Sequence, residues 1–106
     1  MGANKEFLSV VTDHIAEHMS VIKQLNRDEL ISIITIADTL VNTLKKGGGV
    51  FWCGNGGSAS DSQHLAAELI GRFKNNRRAL KSIALNTDTS VLTCIANDFS
   101  YENVWI

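Results

Sequence analysis

Apolar residues set the first part of the chain in a helical period. Leu8, Val11, Ile15, Met19 and Ile22 recur every three or four positions between about Asn4 and Leu25, which draws one stripe along a helix. Asn26 follows, with an acid, Glu29, three residues later. A capping side chain and an acid at that spacing mark the start of a new helix. The second helix carries Leu30, Ile33, Ala37, Leu40 and Leu44 on one face, and Ile31, Ile34 and Val41 widen the stripe. A helix this apolar needs partners on more than one side, so its spare side is expected to pack on another subunit. Gly47-Gly48-Gly49 stops it, after Lys45 and Lys46 at its negative end.

The period then changes. Val50-Phe51-Trp52-Cys53 is short, β-prone and continuously apolar, the pattern of a buried parallel strand. A tight turn, Gly54-Asn55-Gly56-Gly57, leads to Ser58, placed to cap a third helix with Asp61 at the box position. That helix is expected to reach about Phe73. Lys74 to Arg78 reads as a polar loop, Ser82 to Leu85 as a second strand, and Thr87 to Asn97 as a fourth helix. Strand, helix and strand in this order make a right-handed βαβ unit with a parallel sheet. The class is α/β, with two long helices before the sheet. Two strands alone do not make a stable parallel sheet, so further strands are expected after Ile106. The division expected is a helical oligomerisation segment over 1–46 and an incomplete βαβα segment over 47–106.

Composition narrows the partners. Ten Lys and Arg against eleven Asp and Glu leave a net charge of −1, which argues against a nucleic-acid backbone as main partner. No apolar run reaches the ~18 residues of a membrane helix, and the N-terminus has no signal-peptide pattern. Met1-Gly2 is followed by Glu6 where a myristoylation motif wants Ser or Thr, so no lipid anchor is expected. Cys53 and Cys94 form no metal-type pair and read as reduced core residues of a cytoplasmic protein. The chain has no proline, where ordinary usage would give about five. With its apolar, uncapped end, this reads as a chain that stops partway through an element.

Candidate chemistry gathers at the turn and the helix after it. Gly54-Asn55-Gly56-Gly57-Ser58 lies between a strand and a helix, where free N–H groups and the positive dipole end can receive a phosphate or a sugar hydroxyl. No Lys completes a P-loop. Gly54, Gly56 and Ala59 fit a dinucleotide fingerprint, but the acid that fingerprint wants is met only by Asp88, a little late. Asp61, His64 and Glu68 are spaced three and four apart, so they share one face, while Leu65, Ala66, Leu69, Ile70 and Phe73 take the other. His64 and Glu68 can ligate one metal ion together, and imidazole with carboxylate suits zinc, given further ligands. A carboxylate beside a bound substrate can also move a proton. Asn97-Asp98 closes the fourth helix at the C-terminal side of the strands, where open α/β sheets bind ligands. His14 and His18 read as surface residues, and Trp52 and Trp105 as core or interface aromatics.

These residues together resemble a known family. Cys53-Gly54-Asn55-Gly56-Gly57-Ser58-Ala59-Ser60-Asp61, Gln63-His64, Ala66-Ala67-Glu68-Leu69, Gly71-Arg72-Phe73, Thr87-Asp88 and Ala96-Asn97-Asp98-Phe99 closely resemble the phosphoheptose isomerases, which are sugar isomerase (SIS) domain proteins. The resemblance runs from about Gly48 to the end. It implies interconversion of sedoheptulose 7-phosphate and D-glycero-D-manno-heptose 7-phosphate through an enediol, on the route to lipopolysaccharide and related surface glycans. It implies a doubly wound parallel sheet of which this chain is the N-terminal part, a cytoplasmic homotetramer, and one zinc per site. Carried over by position, His64 matches a zinc ligand, and Glu68 both a ligand and the catalytic acid/base. Asn55, Gly56, Gly57 and Ser58 match the substrate-binding turn, Asn97-Asp98 a substrate-binding pair, and Asp61 a polar position of the same site. Family members run to roughly twice this length, and the remaining zinc ligands are expected from the absent half. The alternative is a non-catalytic SIS-domain protein that binds a replication initiator or a sugar phosphate. Such relatives lose the helix carboxylate and the second turn glycine, whereas Glu68 and Gly57 are present here.

Overall fold

A computed structural model describes residues 3–106. Met1 and Gly2, on which the reading against a lipid anchor rests, lie outside the described residues. The elements in order are α1 (Ala3–Lys23), α2 (Arg27–Lys45), β1 (Val50–Trp52), α3 (Gly57–Ile70), β2 (Ser82–Ala84), a 3-10 turn (Leu85–Thr87), α4 (Thr89–Asp98) and a closing 3-10 segment (Tyr101–Trp105). The chain divides into two units, one ending at Asp38 and one running from Thr39 to Ile106.

The first unit holds α1 and most of α2. Leu8, Val11, Ile15, Met19 and Ile22 form the expected stripe, and each is more than half exposed. The predicted start of α2 is a complete capping box. The Asn26 carboxamide oxygen accepts from the N–H groups of Asp28 (2.9 Å) and Glu29 (3.1 Å), and the Glu29 carboxylate accepts from the Asn26 N–H at 2.7 Å. Three backbone donors at the helix end are thereby satisfied by local side chains.

In the second unit, α2 ends as the glycine triplet predicts. Gly47 takes φ +82°, the left-handed conformation that glycine adopts without penalty. The N–H of Gly48 then donates to the Thr43 carbonyl at 2.9 Å and that of Gly47 to Leu44 at 3.1 Å, the paired bonds of a Schellman end.

Strands β1 and β2 pair in parallel, Val50 opposite Ser82, Phe51 opposite Ile83 and Trp52 opposite Ala84. Helix α3 packs on both strands and covers one face. Val50, Ser82 and Ala84 are buried there with Ser62 and Ala66 of α3, and the Trp52 indole N–H donates to Ser82 Oγ at 2.9 Å. The other face is open, with Phe51 63% and Ile83 55% exposed. A strand buried on both faces was the expectation for 50–53. The difference has a simple cause: within this unit only α3 supplies cover, and strand side chains alternate between faces.

The cysteines differ from expectation as well. Cys53 and Cys94 are free thiols, as expected, but both are exposed instead of lying in a core. Helix α3 also stops earlier than Phe73: Gly71 is its C-cap, and Phe73 is 70% exposed in the following loop.

Candidate functional site at the start of helix α3

Strand β1 delivers the chain to Gly54, where a side chain has no room. A Cβ there would stand 2.6 Å from the Ser58 carbonyl oxygen and 2.7 Å from Ser58 Cβ. Gly54 therefore lets the strand end close against the first turn of α3. Gly56 has φ +54° and turns the chain into the helix. At Gly57 an added Cβ would meet nothing within 4 Å. No neighbouring atom of the described residues excludes a side chain there, and the space beside the helix start is open.

The cap differs from the expected one. Gly56 occupies the N-cap, with no side-chain hydrogen bond. Ser58 lies inside the first turn, its N–H donating to the Asn55 carbonyl at 3.0 Å and its own carbonyl accepting from Ser62 Oγ at 2.8 Å. Two consecutive glycines let the helix begin before Ser58, so its hydroxyl is too far along to cap. The Ala59 N–H is likewise taken, by the Gly56 carbonyl at 3.1 Å, so among the described residues the end of α3 leaves the N–H groups of Gly56 and Gly57 and the positive dipole end without a capping side chain.

One turn of helix separates His64 from Glu68, and they meet. His64 Nε2 stands 3.2 Å from Glu68 Oε1, with side-chain exposures of 74% and 31%. Two donors each about 2.1 Å from one tetrahedral zinc ion would stand roughly 3.4 Å apart, so this pair fits two corners of a zinc site. Among the described residues, no cluster of three His, Cys, Asp or Glu able to hold a metal is formed. Asp61 is exposed one turn before His64 on the same helix.

The backbone that carries Glu68 is tied from its C-terminal side. The Arg77 guanidinium donates to the carbonyls of Glu68 (2.6 Å), Leu69 (2.8 Å) and Gly71 (3.0 Å). A cation satisfying the last carbonyls also opposes the negative dipole end. The sequence marked this stretch only as a polar loop, and no local spacing singles out Arg77.

Asn97 and Asp98 close α4 as expected and bond to each other, Asn97 Nδ2 donating to Asp98 Oδ1 at 3.0 Å. The Cys94 thiol reaches Asp98 Oδ2 at 3.4 Å. Asp88, weighed as a nucleotide acid, is instead the N-cap of α4, accepting from the Val91 N–H at 3.0 Å. Its carboxylate already has that structural task, and the dinucleotide fingerprint loses its acidic element. The residue that sequence reasoning missed is Tyr101. Its hydroxyl donates to Asn55 Oδ1 at 2.6 Å, which joins the closing 3-10 segment to the glycine turn.

Comparison with known proteins follows the same residues. A family model described as SIS domain matches residues 13–104. A phosphoheptose isomerase of a Roseiflexus species is 44% identical over 99 residues, which is 93% of this chain and 50% of that protein. One from Akkermansia muciniphila is 56% identical over 70 residues, 66% of this chain and 37% of that protein. Among solved structures, a phosphoheptose isomerase from Neisseria gonorrhoeae superimposes with a TM-score of 0.80 at 35% identity, covering 92% of this chain and 50% of the other. One from Francisella tularensis gives 0.77 at 27% identity, over 98% of this chain and 52% of the other. The chain spans about half the length, or less, of the relatives it matches.

Proposed function

The chain belongs to the SIS-domain family, and from that premise we propose that the protein isomerises a heptose phosphate, interconverting sedoheptulose 7-phosphate and D-glycero-D-manno-heptose 7-phosphate. The observation that carries this reading is the juxtaposition on one helix of an uncapped start and the His64–Glu68 pair. Relatives named phosphoheptose isomerase at 43–56% identity support the choice of substrate.

Aldose–ketose isomerisation moves a proton between neighbouring carbons and passes through an enediol. It needs a group that takes and returns a proton, and donors for the oxyanion that develops. Glu68 is the acid/base in this scheme. Its carboxylate takes the proton from the carbon next to the carbonyl and returns it to the former carbonyl carbon, while the proton of the neighbouring hydroxyl passes to the former carbonyl oxygen through a second acid/base that would lie beyond the described residues. Without a metal, His64 Nε2 lies within hydrogen-bond reach of the Glu68 carboxylate; with one bound, the same nitrogen would be a ligand instead of a donor. Asn55, Gly56, Gly57 and Ser58 receive the sugar oxygens at the open helix end, and Asp61, Asn97 and Asp98 complete the polar lining. His64 and Glu68 would hold a zinc ion, whose positive charge would polarise or position the sugar oxygens; its other ligands would come from residues beyond those described here. The homotetramer, the cytoplasmic location and the link to lipopolysaccharide heptose are part of the same proposal. The exposed apolar stripe of α1 supports self-association. No helix among the described residues is long and apolar enough to cross a membrane.

The test is turnover of sedoheptulose 7-phosphate by the natural gene product, with and without Glu68→Gln. The expected result is zinc-dependent turnover in the wild type, lost in a variant whose circular dichroism is unchanged. Activity of the variant within a few-fold of wild type would remove Glu68 from its role.

A further inference from the structure

Tyr101 is not among the residues assigned to the site, yet among the described residues it alone bonds to the Asn55 side chain. Its hydroxyl donates to Asn55 Oδ1 at 2.6 Å, across 46 positions of sequence. We propose that Tyr101 is a positioning residue: it fixes which end of the Asn55 carboxamide faces the ligand, and so sets the turn to recognise the acceptor oxygens of a sugar phosphate. This rests on the reading of Asn55 as a substrate-binding residue.

The argument is one of donors and acceptors. A carboxamide offers an oxygen that only accepts and an NH2 group that only donates. Rotated by half a turn it presents the opposite chemistry, and at an exposed turn little else holds it. The backbone of Asn55 is already committed, its carbonyl taking the Ser58 N–H at 3.0 Å. Among the described residues, only Tyr101 holds the side chain. A phenol hydroxyl on Oδ1 engages the acceptor end and leaves both amide hydrogens for a ligand. Asn55 directly precedes Gly56 and Gly57, where the helix start has no side-chain cap and the space is open. Donors from the carboxamide and from the helix end then match hydroxyl and phosphoryl oxygens.

Tyr101 itself is held at the right reach. It begins the 3-10 segment Tyr101–Trp105, which packs on α4. Tyr101 is 56% exposed, so its removal does not open a core. The hydroxyl is the part with a task, and Tyr101→Phe deletes only that.

The experiment uses the full natural gene product and four proteins: wild type, Tyr101→Phe, Asn55→Ala and the double variant. Steady-state turnover of sedoheptulose 7-phosphate is measured in each. The Asn55 side-chain amide is followed by 15N NMR, assigned by its absence in Asn55→Ala. The loss of one hydrogen bond corresponds to about a three- to tenfold rise in KM, with kcat within about twofold. The Asn55 amide signal is expected to shift or broaden in Tyr101→Phe. In the Asn55→Ala background the second change is expected to add nothing, since residues that act through one another are not additive. An unmoved Asn55 signal, or a KM effect that persists undiminished without Asn55, overturns the proposal. Absence of turnover and of sugar-phosphate binding in the wild type overturns the functional reading, and the amide signal then still decides whether Tyr101 holds Asn55.

Discussion

Helices α2 and α3 begin in opposite ways. At α2, Asn26 and Glu29 exchange three hydrogen bonds with the backbone and leave the helix end closed. At α3, Gly56 sits at the N-cap with no side-chain bond, and Gly57 leaves open space beside it. The first arrangement is what stability alone favours, since an N-cap side chain contributes about 1 kcal/mol. The second forgoes that contribution at the helix that also carries His64 and Glu68. A helix start without its own cap is a place where a ligand's oxygens can take the free donors. Helix α4 repeats the closed pattern, with Asp88 capping Val91. Closed starts thus hold the framework, and the open start is the one that the proposed function gives to the substrate.

The largest expected effect separates the two helices by activity. Glu68→Gln lowers turnover by about 10²–10⁴-fold, the usual scale of general acid–base catalysis, with little change in the melting temperature. Asn26→Ala does the reverse in kind: it destabilises by about 1 kcal/mol in urea unfolding and leaves kcat within about twofold. Loss of turnover in Asn26→Ala at unchanged stability would break the division between closed and open starts.

Gly54 tests a different use of glycine at the same turn. A Cβ there would stand 2.6 Å from the Ser58 carbonyl, a contact that the backbone must move to relieve. Gly54→Ala is expected to cost about 1–3 kcal/mol, as overpacking generally does. Unfolding measurements that found it neutral would mean that strand β1 and α3 are less closely joined than their geometry states.

What was legible in the sequence was local. The capping box at Asn26 and the glycine end after Lys46 depend on residues within a few positions of one another, and both formed as read. The His64–Glu68 pairing follows from helical spacing alone. What was not legible was set by chain segments meeting from afar. Nothing near Arg77 in sequence says that it will take the carbonyls of Glu68 and Leu69, and nothing near Tyr101 points to Asn55. Cys53 was misplaced for a related reason. An apolar run signals a strand but does not state how many faces find cover, and here α3 covers one. Ser58 was a local error: with two glycines before it, the helix gained an earlier start, and the hydroxyl fell inside the first turn.

The smallest expected change in stability is the sharpest on function. Among the described residues, and apart from its chain neighbours and its own helix backbone, Gly57 has no atom within 4 Å of an added Cβ, and its φ is not positive, so Gly57→Asp meets no steric obstacle. An acid in the first turn of a helix is stabilising by about 0.3–1 kcal/mol. The variant is therefore expected to unfold slightly later than wild type. The same carboxylate would fill the space left for the sugar phosphate and repel its negative charge. Its affinity for sedoheptulose 7-phosphate, read by calorimetry, is expected to fall by about tenfold, the equivalent of ~1.4 kcal/mol. Stability and affinity moving in opposite directions is the mark of an end kept open for a ligand. Gain in stability with undiminished affinity would mean that the open start of α3 is only a turn, and the contrast with α2 would lose its functional meaning.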